Sequence, residues 1–205
     1  MKYAMEGVRK VLVHSIQKHY PTELSDYERI MNEHGTAATS AFALAPHANE
    51  VLKLFWECDV KQCLPVAYYE ATIRGVNSLS SSSPKVSLPP QILGPAIRAL
   101  GSLHCKRVEN VRSILELVRD CRSCRGTNLM AIEHELLPIK NDISLSPLRD
   151  ANKELSPANA SFLCRLCVGI ITGRCQAFGI QLWAELPGVF GLPTWGELSK
   201  LVILK

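Results

Sequence analysis

The 205 residues leave room for one domain or two small ones, and 47% apolar residues can fill a buried core. The 23 Lys+Arg against 19 Asp+Glu give a formal charge of +4. No Lys/Arg run of the kind that grips nucleic acid accompanies that charge, so nucleic acid is not the expected partner. Glu6, Arg9 and Lys10 interrupt the first apolar segment, which excludes a secretory leader there. The apolar uncharged run 175–184 holds two Gln and is too short to span a membrane. With neither a leader pattern nor a membrane span, the expected compartment is reducing, cytoplasm or nucleus, where paired Cys among the eight signal metal or thiols before disulfides.

Taken in chain order, Met5, Val8, Val11, Leu12 and Ile16 recur at helical steps and predict an amphipathic helix over 3–19, ended by Pro21. The Ser-x-x-Glu of "SDYE" (25–28) reads as a capping box opening a second helix. The small, weakly charged stretch 32–48 reads as loop. A helix then carries Val51, Leu54, Phe55 and Cys58 and breaks at "DVKQ". The next begins near Cys63–Leu64 with Pro65 in its first turn, where a missing N–H costs nothing. Phe55, Trp56, Tyr68 and Tyr69 on these helices are expected in the core.

The Ser/Pro-rich segment 77–91 reads as a linker between residues 1–76 and 92–205. After it the pattern predicts a short helix over 92–100 and a strong one over 102–119. The latter's stripe is Leu103, Arg107, Val108, Val111, Ile114, Leu115 and Val118. A helix over 129–137 stops at Pro138, and 138–160 reads as loop. A long helix is expected over 162–186, weakened by Gly169, Gly173 and Gly179, each by about 1 kcal/mol against Ala. Residues 187–198 close the pattern as turns and a short apolar segment. No strand periodicity competes, so the expected fold is all-α.

The chemistry concentrates in two Cys-x-x-Cys turns, "RDCRSCRG" and "FLCRLCVG". Each turn offers two thiolates, and two turns complete the tetrahedron that Zn²⁺ prefers, so Cys121, Cys124, Cys164 and Cys167 form a candidate structural zinc site. Roughly 40 residues separate the pairs, against about 15–20 in common zinc ribbons. The extra loop costs only about 0.7 kcal/mol in closure entropy, against metal binding on the order of 10 kcal/mol. Arg122, Arg125 and Arg165 flank the sulfurs and favour thiolate. Reduced thiols packed in a core remain the main competing reading, and a redox pair a lesser one. His104, His134 and Cys175 are candidate substitutes, but a lone helical His is more often surface or core than ligand, and Cys175 stands about 12 Å along the helix from Cys167. Cys58, Cys63 and Cys105 read as small apolar fillers.

Two separated blocks carry a family resemblance. The segments "KYAMEGVRKVLVHSIQKHYPTELSDYE" and "VLKLFWECDVKQCLPVAYYEATI" resemble helices that end and follow the BTB/POZ domain in proteins abundant in mushroom-forming fungi. The end, with Cys164 and Cys167 leading into Trp183, Leu186, Pro187, Phe190, Leu192, Pro193 and Trp195, is similar to their C-terminal region. The resemblance implies a chain without the N-terminal strands and first helices of that domain, which carry its usual dimer surface. It also implies a non-enzymatic module or scaffold that binds another protein, not identified by the sequence. The alternative is a zinc-stabilised nucleic-acid-binding or transcription-associated factor with a basic face at Arg119, Arg122, Arg125, Arg165 and Arg174. An enzyme ranks below both: no G-x-S-x-G, H-E-x-x-H or P-loop occurs, and the adjacent Glu133, His134 and Glu135 diverge on a helix.

Overall fold

A computed structural model describes residues 19–33, 48–73, 87–124, 127–137, 155–156 and 160–201, with the isolated positions 11, 15, 79 and 148. Most of the expected helix over 3–19 and of the stretches expected as loop, 32–48 and 138–160, lies outside them. Seven α-helices order the described residues: α1 (Leu24–Glu33), α2 (Ala48–Glu57), α3 (Leu64–Thr72), α4 (Pro90–Arg119), α5 (Leu129–Leu136), α6 (Arg165–Val189) and α7 (Trp195–Lys200). Short 3₁₀ turns cover Lys61–Cys63 and Arg122–Cys124. The described residues contain no strand, and the fold is all-α.

α4 and α6 form the frame, and each passes through two apolar clusters. The first half of α4 (Ile92, Ala96, Ala99, Leu103) and the last part of α6 (Leu182, Trp183, Leu186) lie in the larger one. The second half of α4 (Val111, Ile114, Leu115, Val118) and the first part of α6 (Cys167, Ile171, Cys175) lie in the smaller. The two helices are therefore antiparallel, and Lys106, midway along α4, pairs with Glu185 near the end of α6. Arg107, buried near the same level, donates to the carbonyl of Leu136 and ties α5 to the frame.

The larger cluster closes around α3, which is buried from Leu64 to Thr72 on every side. A helix without a polar face needs cover all round, and α2, α4 and α6 each contact it. Its one carboxylate, Glu70, is buried and accepts the Tyr27 hydroxyl at 2.9 Å, which satisfies a group that would otherwise be costly to desolvate. Aromatic pairs fill the rest. Tyr68 stacks on Phe190 with centroids 4.9 Å apart, and Trp183 stacks on Trp195 at 5.2 Å. Leu79 and Leu88, at the margins of the Ser/Pro-rich segment, are buried in this cluster.

Several expectations change in detail. Residues 90–119 form one helix, where the sequence pattern predicts two. Ile92, Ala96, Ala99 and Leu103 continue the apolar stripe across Gly101, and burying it outweighs the roughly 1 kcal/mol that an internal glycine costs. Pro95 lies near the helix start and removes a single backbone bond. α1 begins at Leu24, so Ser25 lies inside the helix and is not its cap. Trp56 is 42% exposed, not core, because α2 turns Val51, Leu52 and Phe55 inward.

The end of α6 explains the "LPGVFGLPTW" run. Leu192 N–H bonds to Pro187 O at 2.9 Å and Gly191 N–H to Gly188 O at 3.0 Å. With Gly191 at φ +70°, this is a Schellman stop, which needs a left-handed residue. Thr194 then caps α7 in a reciprocal capping box with Glu197, and the Trp195 indole N–H donates to Trp183 O at 2.7 Å. The same stop ends α2, where Val60 N–H bonds to Phe55 O at 2.9 Å and Asp59 takes φ +56°.

Candidate metal centre

The smaller cluster delivers the cysteines. α4 ends at Arg119 with Asp120 as its C-cap, and the chain turns at once: Cys121 N–H bonds to Val118 O at 3.2 Å. The 3₁₀ turn Arg122–Cys124 then brings Cys124 back beneath Cys121, with Cys124 N–H on Cys121 O at 3.1 Å. The antiparallel partner starts at the same level. Cys164 is the N-cap of α6, in extended conformation at φ −70° and ψ 155°, and Cys167 lies in the first turn. The Thr127 hydroxyl donates to Phe162 O at 3.0 Å and joins the two turns from outside the sulfurs.

All four Sγ atoms lie within 4.8 Å of one another. Cys121 Sγ and Cys164 Sγ, one from each turn, are 3.8 Å apart. Four ligands about 2.3 Å from one Zn²⁺ would stand about 3.8 Å from each other, so the spacing suits a single tetrahedral ion. No disulfide links any of the eight cysteines. Cys124 and Cys167 are buried, and Cys121 and Cys164 are partly exposed. Cys175, Ile171, Ile114 and Val118 are buried in the same cluster.

Backbone N–H groups reach the sulfurs as well. Cys164 N–H donates to Cys124 Sγ at 3.3 Å. The Cys167 amide, in the first turn of α6, is the largest influence on Cys164 and, with the Cys124 thiol, holds its pKa down at about 7. That contact stops short of a complete cap bond. On Cys124 the Cys164 amide pulls the pKa down, but burial and the neighbouring Cys164 and Cys121 thiols push harder, and the net shift is upward. Burial pushes Cys167 strongly up, and the other three thiols add to it. Four thiols so close cannot all ionise alone, and a bound cation would reverse that balance. The donor set is all sulfur, which fits a soft or borderline metal and not Mg²⁺ or Ca²⁺. The residues therefore fit zinc: Cys121, Cys124, Cys164 and Cys167 would hold it, and four thiolates would leave no position open to water.

The structure places the other candidates elsewhere. His104 and His134 are exposed on α4 and α5 and are not part of the four-sulfur group. Cys63 is buried in the larger cluster as a filler, and burial raises its pKa to about 12. Cys105 is exposed, not a filler, because it falls on the face of α4 opposite Leu103 and Arg107. Of the proposed basic face, Arg119, Arg122, Arg165 and Arg174 are exposed, and Arg125 lies outside the described residues. Phe162 and Leu166, which flank Cys164, are 65% and 70% exposed. The sequence gives no warning that Leu166 is exposed, because the apolar residues of α6 circle the helix.

No family model matches the chain. No curated protein and no solved structure matches it either. Among the described residues no helix is long and apolar enough to cross a membrane.

Proposed function

We propose that the chain is a non-enzymatic protein-binding module or scaffold of BTB-protein type, whose C-terminal half is clipped by one structural zinc. The observation that carries this reading is the four-sulfur cluster at the junction of α4 and α6. A site of four thiolates fixes an angle between helices and activates no substrate. Beside it, Phe162 and Leu166 offer apolar side chains to solvent from the segment that the cluster would hold rigid. Rigid presentation of large apolar groups is what a protein partner recognises. The family resemblance of the Cys164–Trp195 region supports the same class. The expected compartment is cytoplasm or nucleus.

Protein purified under reducing conditions should contain close to one zinc per chain by elemental analysis. Quantitative affinity capture with the wild-type chain and with a Phe162→Ser/Leu166→Ser variant of equal zinc content should then differ in the proteins retained. A metal-free protein, or identical capture by the two, would sink the reading. The nucleic-acid alternative rests on the exposed Arg119, Arg122, Arg165 and Arg174. DNA binding that falls steeply with salt would favour it instead.

A further inference from the structure

The four sulfurs are unequal in a way that tetrahedral coordination does not require. Cys124 and Cys167, one from each turn, are 4% and 2% exposed. Cys121 and Cys164, again one from each turn, are partly exposed, and their sulfurs are 3.8 Å apart. Resting on the zinc reading above, we propose that the centre is a peroxide-sensitive clasp, in which oxidation expels the metal and joins Cys121 to Cys164.

Access decides which sulfurs react. Hydrogen peroxide arriving from solvent meets Cys121 or Cys164 before either buried partner. One thiolate attacks a peroxide oxygen, the O–O bond breaks, hydroxide leaves and the sulfur becomes a sulfenic acid. The adjacent thiolate attacks that sulfur, the S–S bond forms, the S–O bond breaks and a second hydroxide leaves. The two sulfurs give up two electrons, peroxide accepts them, and two protons from solvent complete two waters. Bringing the sulfurs from 3.8 Å to a bond of about 2.0 Å takes less than about 2 Å of movement. Left with Cys124 and Cys167 alone, the zinc loses half its ligands and departs.

The pairing matters for what survives oxidation. Cys121 follows the end of α4 and Cys164 starts α6, so this disulfide spans 43 positions and keeps the helix ends clasped without metal. A disulfide within either Cys-x-x-Cys turn would free the two ends from each other. The cross-turn pairing thus changes the charge and chemistry of the surface between Thr127 and Phe162 while preserving the frame.

The test uses the full chain carrying Cys105→Ser, which removes the exposed thiol outside the centre. Zinc content is measured first, and hydrogen peroxide is then added while released zinc is read with a chromogenic chelator. Disulfides are mapped by mass spectrometry of unreduced peptides. The expected result is release of about one zinc per chain, Cys121–Cys164 as the dominant disulfide, and recovery of the metal after reduction with added zinc. A zinc-free starting protein overturns both this inference and the zinc reading. Zinc-loaded protein that keeps its metal, or that forms Cys121–Cys124 or Cys164–Cys167 instead, overturns this inference alone.

Discussion

Removing the proposed zinc, by a chelator or by Cys167→Ser, should loosen one end of the molecule and leave the other intact. The clip would join Cys121 to Cys164 across 43 positions. Treated as a cross-link, closing a loop of that length removes about 4 kcal/mol of chain entropy from the open state. The smaller cluster has ten buried residues, four of them cysteines or close neighbours of one, and shares no buried residue with the larger. Losing about 4 kcal/mol there corresponds to about a thousandfold in opening equilibrium. Hydrogen exchange should show it, with protection falling by up to that factor over 111–118 and 163–175. Tryptophan fluorescence should not follow, because Trp183 and Trp195 belong to the larger cluster and Trp56 is on α2 beside it. Cys58→Ser should leave both metal and protection unchanged. Unaltered exchange after zinc removal would mean that no metal clip holds the junction of α4 and α6. Simultaneous loss of protection and tryptophan signal would also refute the reasoning, since that would mean the two clusters unfold as one.

Other outcomes follow from the same geometry. Leu186→Ala, at a fully buried site in the larger cluster, should cost about 2–5 kcal/mol in a fluorescence-detected denaturant melt. Gly191→Ala should cost about 1 kcal/mol through its φ of +70° alone, since no atom lies near enough to clash with a new Cβ. Thr194→Ala removes the cap of α7 and should cost about 1 kcal/mol, with a shift in Trp195 emission. Glu185 has its pKa lowered by Lys106 first and then by Gln181. Its contribution is therefore present above the ordinary carboxylate value of 4.5 and is lost as pH falls through the lower folded value. Glu185→Gln should flatten that acid limb, by less than about 1 kcal/mol, because both partners are more than a third exposed.

The helical class, the stripe on the second half of α4 and the two Cys-x-x-Cys turns are legible in the residues alone. Those signals are local: a 3.6-residue period needs only neighbours, and a Cys-x-x-Cys turn is complete in four positions. The sequence misjudged features that depend on what covers them. Trp56 and Phe55 are adjacent and equally apolar, and only the packing of α2 on α3 decides that Phe55 is buried and Trp56 exposed. Gly101 looked like a break until the larger cluster gave α4 a reason to continue through it. The capping box at Thr194 and Glu197 was legible in its spacing but hidden among turn residues, while the one at Ser25 had the spacing without the position. Spacing could permit the two cysteine pairs to meet, but could not require it. Their meeting is decided by tertiary structure, because the antiparallel pairing of α4 and α6, held by burial along both helices, puts the end of one beside the start of the other. That same packing determines which two sulfurs face solvent and which two are buried.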